Sequence, residues 1–159
     1  MNKDIIQAVI DFPSVAGIKG WLEIRDNKTK ELLRVEPNLI TNGGLAQVAL
    51  LLEDAAAEPF LDACIGEGTT AAANGDTALE DEVDVVLPTV SRVQTSVAND
   101  TAQFVSVHTA PGGGWAITEY GIKTATGHVL LNHVVFAAIN LSEGNELEFT
   151  YKVQVQRVA

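Results

Sequence analysis

The sequence predicts a mainly β protein, an antiparallel β-sandwich or β-barrel carrying one short α-helix at about residues 42–53. Three observations lead there. Residues 18–25 and 147–156 alternate apolar and polar with a period of two, as half-buried strands do. The second half of the chain holds four strand-length apolar runs separated by Gly-rich or polar turns. One segment alone repeats its apolar residues at the spacing of a helical face and also has a cap in place.

Taken in order, the elements begin with Ile5 to Phe12, where Ile5, Ile6, Ala8, Val9, Ile10 and Phe12 cluster before Pro13. This reads as a short strand or an arm, and residues 1–16 are assigned to an N-terminal arm ahead of a single β-rich domain at 17–159. In the next run Ile18, Gly20, Leu22 and Ile24 share one face and Lys19, Trp21, Glu23 and Arg25 the other. Asp26-Asn27-Lys28-Thr29 supplies turn residues, and Glu31 to Val35 returns as the second strand of a hairpin. After Pro37, Thr41 or Asn42 caps a helix in which Leu45, Val48, Ala49 and Leu52 form the expected buried face.

Phe60 to Gly66 is expected to be a buried strand running into a mobile, exposed loop at 66–75, rich in Gly, Ala and Thr. Thr77 to Asp84 is expected to be a short helix capped by Asp76. Strands follow at Thr101 to Thr109, Trp115 to Lys123, Val129 to Ala138 and Leu147 to Val158, with Ala125-Thr126-Gly127 as a hairpin turn. In the last of them Leu147, Phe149, Tyr151, Val153 and Val155 face one way. At about 3.3 Å per residue it would extend for roughly 40 Å, enough to cross a barrel or to carry pairing onto a neighbouring subunit.

Composition narrows the function classes. A chain of 159 residues can bury one full core. With 21 acidic against 10 basic residues its formal charge is −11, so phosphate backbones repel it on average and nucleic acid is not an expected partner. No apolar run approaches the roughly 18 residues that span a bilayer, and the first residues lack the pattern of a signal peptide, so no membrane partner is expected and the protein is expected to stay in the cytoplasm of its producer. The one cysteine, Cys64, permits no internal disulfide and reads as a small buried hydrophobe.

Chemistry finds little support. His108, His128 and His133 are the residues that titrate near neutrality. His128 and His133, five apart on a strand, face opposite sides of a sheet and cannot share a metal, so all three read as structural or surface histidines. Glu80-Asp81-Glu82, with Asp76 and Asp84, lacks the spacing of a calcium loop and reads as a solvated acidic face. Gly66-Glu67-Gly68 fails as a phosphate loop because Ala71 stands where the third glycine belongs. Gly112-Gly113-Gly114 is a tight loop with no nucleophile elbow near it. No catalytic residue, cofactor site or metal site is expected. Trp21, on the polar face of the first hairpin, and Trp115, after three glycines, are the aromatic candidates for an interface; local packing competes and leads at both. Trp21 is also the best platform if the chain were a carbohydrate-binding module.

A succession of motifs adds a resemblance. Asp26 to Thr29, Asn38-Leu39-Ile40-Thr41-Asn42-x-Gly44, Ile65-Gly66-x-Gly68-Thr69-Thr70, Thr77-x-Leu79-x-x-Glu82 and Ile117-x-Glu119-x-Gly121-Ile122, followed by a closing strand, are similar in order to those of small virion proteins of tailed bacteriophages. The similarity runs from about Gly17 to the C-terminus. One departure is Asp84 after Val83, where such proteins often carry an arginine; here the next is Arg92. The resemblance implies a β-sandwich or β-barrel unit of a virus particle, made in the host cytoplasm. The expected role is that of a capsid decoration or cement protein bound to the major capsid protein, with a tail, baseplate or fibre-adaptor protein among tail proteins as the alternative. Self-association is expected, as a homotrimer on geometric grounds, with Ile5, Ile6, Val9 and Phe12 of the arm and Trp21 and Trp115 as interface candidates.

Overall fold

A computed structural model describes residues 17–156. Ten strands form two antiparallel five-stranded sheets, and the two sheets enclose the core without closing into a barrel. In chain order the elements are β1 (Ile18–Asp26), β2 (Leu32–Pro37), β3 (Leu39–Ile40), α1 (Asn42–Glu53), β4 (Phe60–Gly66), β5 (Glu82–Val86), β6 (Thr89–Val93), β7 (Thr101–Thr109), β8 (Trp115–Thr124), β9 (Asn132–Leu141) and β10 (Glu146–Val155). The first sheet runs β2-β1-β10-β7-β6 and the second β3-β9-β8-β4-β5. The arm candidates Ile5, Ile6, Val9 and Phe12 lie outside the described residues.

The expected alternation makes the core. Leu22 and Ile24 of β1 are in register with Tyr151 and Phe149 of β10, and these face Ala63 and Ile65 of β4 and Tyr120 and Ile122 of β8 from the opposite sheet. Tyr120 stacks on Phe149 with ring centroids 5.1 Å apart and planes 8° from parallel, a contact worth about 1 kcal/mol beyond its buried area. The hairpin turn at 26–29 forms as its residues require, Asp26 Oδ1 accepting the backbone N–H groups of Lys28 and Thr29.

Strand β10 is ten residues long and ends at Val155. It pairs along its length with β1 on one side and β7 on the other, so it neither crosses a barrel nor offers a free edge to a neighbour. Two short strands, β5 and β6, were not expected; β5 overlaps the end of the helix expected at Thr77 to Asp84, and β6 lies in a stretch to which no element was assigned. The expected helix at Thr77 to Asp84 is absent: Leu79 is drawn into a cluster with Cys64 and Leu130, and Asp76 closes a turn by accepting the N–H of Ala73.

Helix α1 spans the expected residues, with the Thr41 hydroxyl accepting the N–H of Gly44 as its N-cap. Its orientation differs from expectation. Gly44 and Gln47 are its buried residues, Val48 packs against the core, and Leu45 and Leu52 are exposed. The contact face is thus turned by one residue, about 100°, from the one that hydropathy selects. The cause is backbone proximity: a Cβ at Gly44 would collide with the carbonyl of Leu131, and the Gln47 amide donates to the carbonyl of Glu58 at 2.7 Å.

Candidate functional site

The polar residues that looked most like chemistry converge on the face of the second sheet turned away from the core. Registers pair Cys64 with Gly121 and Gly66 with Glu119, so Glu119 shares that outer face with Cys64, while Ala63, Ile65, Tyr120 and Ile122 face inward. The segment 67–81 folds over this face. Glu119 is fully buried, and its carboxylate accepts from the N–H groups of Gly68 (3.0 Å), Glu80 (3.0 Å) and Asp81 (2.8 Å) and lies 2.9 Å from His133 Nε2. A carboxylate without water needs this many donors to remain inside. His133 Nδ1 is 2.6 Å from Asp76 Oδ2, so the imidazole bridges two carboxylates that belong to the loop and to β8.

Around this knot Glu80, Asp76 and Glu82 each hold a partner. Glu80 accepts from the N–H groups of Thr69 and Thr70 and from the Thr70 hydroxyl, hydrogen bonds that hold its carboxyl below the usual range. The N–H of Ala73 and the ring of His133 do the same for Asp76. Lys123 pairs with Glu82 at 2.7 Å. Gly66 and Gly68 are glycines because a Cβ at either would collide with Glu119 or with the loop that Glu119 gathers. Glu80, Asp81 and Glu82 are exposed, as a solvated acidic face would be, while Glu80, Glu82 and Asp76 each also hold a partner. The loop at 66–75 is exposed over most of its length, as expected, and is fastened by hydrogen bonds at Gly68, Thr69, Thr70 and Ala73, which composition does not reveal. The motifs at 65–70, 77–82 and 117–122, far apart in sequence, meet here. Their shared task is to clamp a loop onto a sheet.

His108 and the cysteine take buried positions, and His128 is exposed. His108 is fully buried, its Nδ1 2.8 Å from Asp84 Oδ2 and its ring edge-on to Phe149. Burial pulls its pKa below the ordinary value, with Asp84 acting in the opposite direction. His128 sits in the β8–β9 turn with φ +52°, outside any strand. Burial and nearby acids push the Cys64 thiol up, and Sγ donates to the carbonyl of Gly121. Among the described residues no three His, Cys, Asp or Glu side chains are grouped to hold a metal ion, and no helix is long and apolar enough to cross a membrane.

Trp21 packs within this chain, the alternative that led at this position, rather than standing exposed as an interface anchor. It is 1% exposed. Its indole Nε1 donates to Glu23 at 3.4 Å and Lys152 Nζ lies 5.9 Å from its ring centroid. The polar face of β1 is itself covered: Glu23 is buried and paired with Arg25 at 2.8 Å and Lys152 at 2.9 Å. Burial pushes the Glu23 carboxyl up, and these two cations more than offset it, leaving it below the usual range. Trp115 is half-buried, packs against the core and lines a surface cleft with Glu67, Asn140 and Ser142.

Hydropathy alone overlooked the apolar surface that stays open. On α1, Leu45, Leu50 and Leu51 are between 37% and 41% exposed and Leu52 is 86% exposed. Beside the helix, where β1 begins and β10 ends, a groove of about 270 Å³ is lined by Ile18, Val48, Leu51, Phe60, Val153 and Val155, with Arg92 at its rim. Such a surface is a cost in water, and its usual explanation is a partner. Compared with protein-family models, with curated proteins and with solved structures, the chain shows no match.

Proposed function

We propose that this chain is a non-enzymatic structural protein of a virus particle, a capsid decoration protein that assembles with copies of itself and binds the exterior formed by the major capsid protein. The observation that carries the proposal is the set of exposed leucines on α1, Leu45 and Leu52 on one side and Leu50 and Leu51 beyond it, each more than a third exposed, on a chain whose acidic surface keeps it dispersed until a partner covers them. The loop knot around Glu119 supports the same reading, because its polar groups are committed to rigidity rather than directed at a substrate. The motif order resembling small virion proteins adds the particle. A carbohydrate-binding role loses its best platform, since Trp21 is buried.

The test is attachment. Particles stripped of this protein are incubated with purified chain and sedimented, using wild type and a variant with Leu45→Gln and Leu52→Gln. Wild type is expected to co-sediment at saturating stoichiometry and the variant to stay in the supernatant with an unchanged melting temperature. Equal co-sedimentation of the two removes the helix face from the account.

A further inference from the structure

We infer that His133 is a pH-sensitive clasp: doubly protonated, its ring ties the segment 67–81 to the second sheet, and loss of one proton frees that segment at Asp76. The clasp works in the isolated chain and depends on no particle.

The geometry requires two protons. His133 Nδ1 lies 2.6 Å from Asp76 Oδ2, and Nε2 lies 2.9 Å from Glu119 Oε2. A carboxylate offers only acceptors, and a neutral imidazole has one N–H and one lone pair, so two such contacts need a proton on each ring nitrogen. An imidazole is a stronger base than a carboxylate, which puts both protons on the ring. The groups that face it favour this charge. Asp76 and Glu80 stand on the loop, where they share a hollow of about 210 Å³ with His133, and Glu119 stands on β8. Strand β3 contributes the apolar Leu39, in register with His133.

Removal of one proton sets a lone pair against a carboxylate, and the two contacts differ in what they can do about it. Glu119 is fully buried and fixed by the N–H groups of Gly68, Glu80 and Asp81, so it has no water to turn to. The Asp76 side chain is 26% exposed and belongs to the loop. The remaining proton therefore stays at Nε2, facing Glu119, and Asp76 turns toward solvent. Glu119 still holds the two ends of the loop, and Glu80 ties Thr69 and Thr70 to the far end of the same loop rather than to the sheet. Between Thr70 and Leu79, the polar ties to the rest of the fold among the described residues are Asp76 to His133 and the Asn74 carbonyl, which accepts the N–H of Asn42. Loss of the Asp76 contact loosens this middle stretch while both ends stay seated.

The test reads loop motion and ring protonation together. Gly75 is exposed, with nothing within 4 Å of an added Cβ, so the full-length chain bearing Gly75→Cys carries a nitroxide there, and the buried Cys64 stays unlabelled. Electron paramagnetic resonance follows label mobility, and NMR follows the ring, assigned by its loss in His133→Gln, from about pH 5 upward. The ratio of immobilised to mobile label is expected to fall at least ~10-fold, as loss of a charged hydrogen bond predicts, with its midpoint where the His133 ring becomes neutral. Asp76→Asn is expected to keep the label immobilised throughout, because its amide oxygen accepts from the charged ring and its amide N–H donates to the neutral one. Mobility unchanged across the ring's titration, or mobile label in Asp76→Asn above that midpoint, would overturn the clasp; so would a ring holding a single proton while the label is immobilised. Loss of near-ultraviolet circular dichroism at the same midpoint would overturn the loop as the unit that responds.

Discussion

Glu119 sits without solvent among three backbone N–H groups and a histidine, and a buried carboxylate so placed is costly to alter because each donor left unmatched pays its own desolvation. Glu119→Gln is predicted to lower unfolding free energy in urea by about 3 kcal/mol. Glu148→Gln, which removes a surface pair with the largely exposed Lys30, is predicted to change it by less than about 1 kcal/mol. His108 gives a prediction in pH. Its folded pKa lies below the ordinary 6.5, so below that value the unfolded chain binds the extra proton first and stability falls as pH falls toward the folded pKa. In His108→Gln the slope of stability against pH just below 6.5 is predicted to flatten, as read by denaturant titrations at several pH values. The cluster as such was not legible: alternation places Glu119 on the outward face of β8, and nothing local says that a loop fifty residues earlier will close over it. The two glycines at 66 and 68 were the available signal, since glycines two apart at a strand end mark a close approach as readily as a flexible turn.

At the scale of elements, the strands with clean alternation and the capped helix were readable in place, because period and capping are local properties. Helix α1 was readable in extent and not in orientation. Hydropathy ranks leucine above glycine, whereas the contact with the β8–β9 hairpin is decided by how near two backbones can come at Gly44 and Leu131. Gly44→Ala is therefore predicted to cost roughly 1 to 3 kcal/mol despite its better helix propensity. Leu52→Gln is predicted to leave stability within about 0.5 kcal/mol, a contrast that the buried-leucine reading would invert. Strands β5 and β6 were missed because Glu82–Val86 and Thr89–Val93 are short edge strands with several exposed residues; their pairing with β4 and β7 comes from the sheets, not from their own pattern.

For the whole molecule, the two-sheet arrangement selects the sandwich from the two architectures that the strand count allowed, with β10 as a fully paired central strand. With β10 paired on both sides, the association proposed above would use faces and ends, where the leucines of α1 and the groove lie. A formal charge of −11 on each copy opposes such contacts at long range. If apolar surface drives assembly, added salt screens that repulsion and the associated fraction measured by sedimentation velocity is predicted to rise. A contact dominated by ion pairs would show the opposite dependence. The location of the exposed apolar surface required the packing, since composition counts leucines without saying which of them stay in water.

The central claim is that this protein belongs to a virus particle, and the most direct measurement is its copy number there. Quantitative mass spectrometry of purified particles from the producing culture would set this chain against the major capsid protein. A ratio near one to one, or near one trimer per capsomer, is the predicted result. A few copies per hundred would move the protein to the tail, and its absence from the particle would contradict the account.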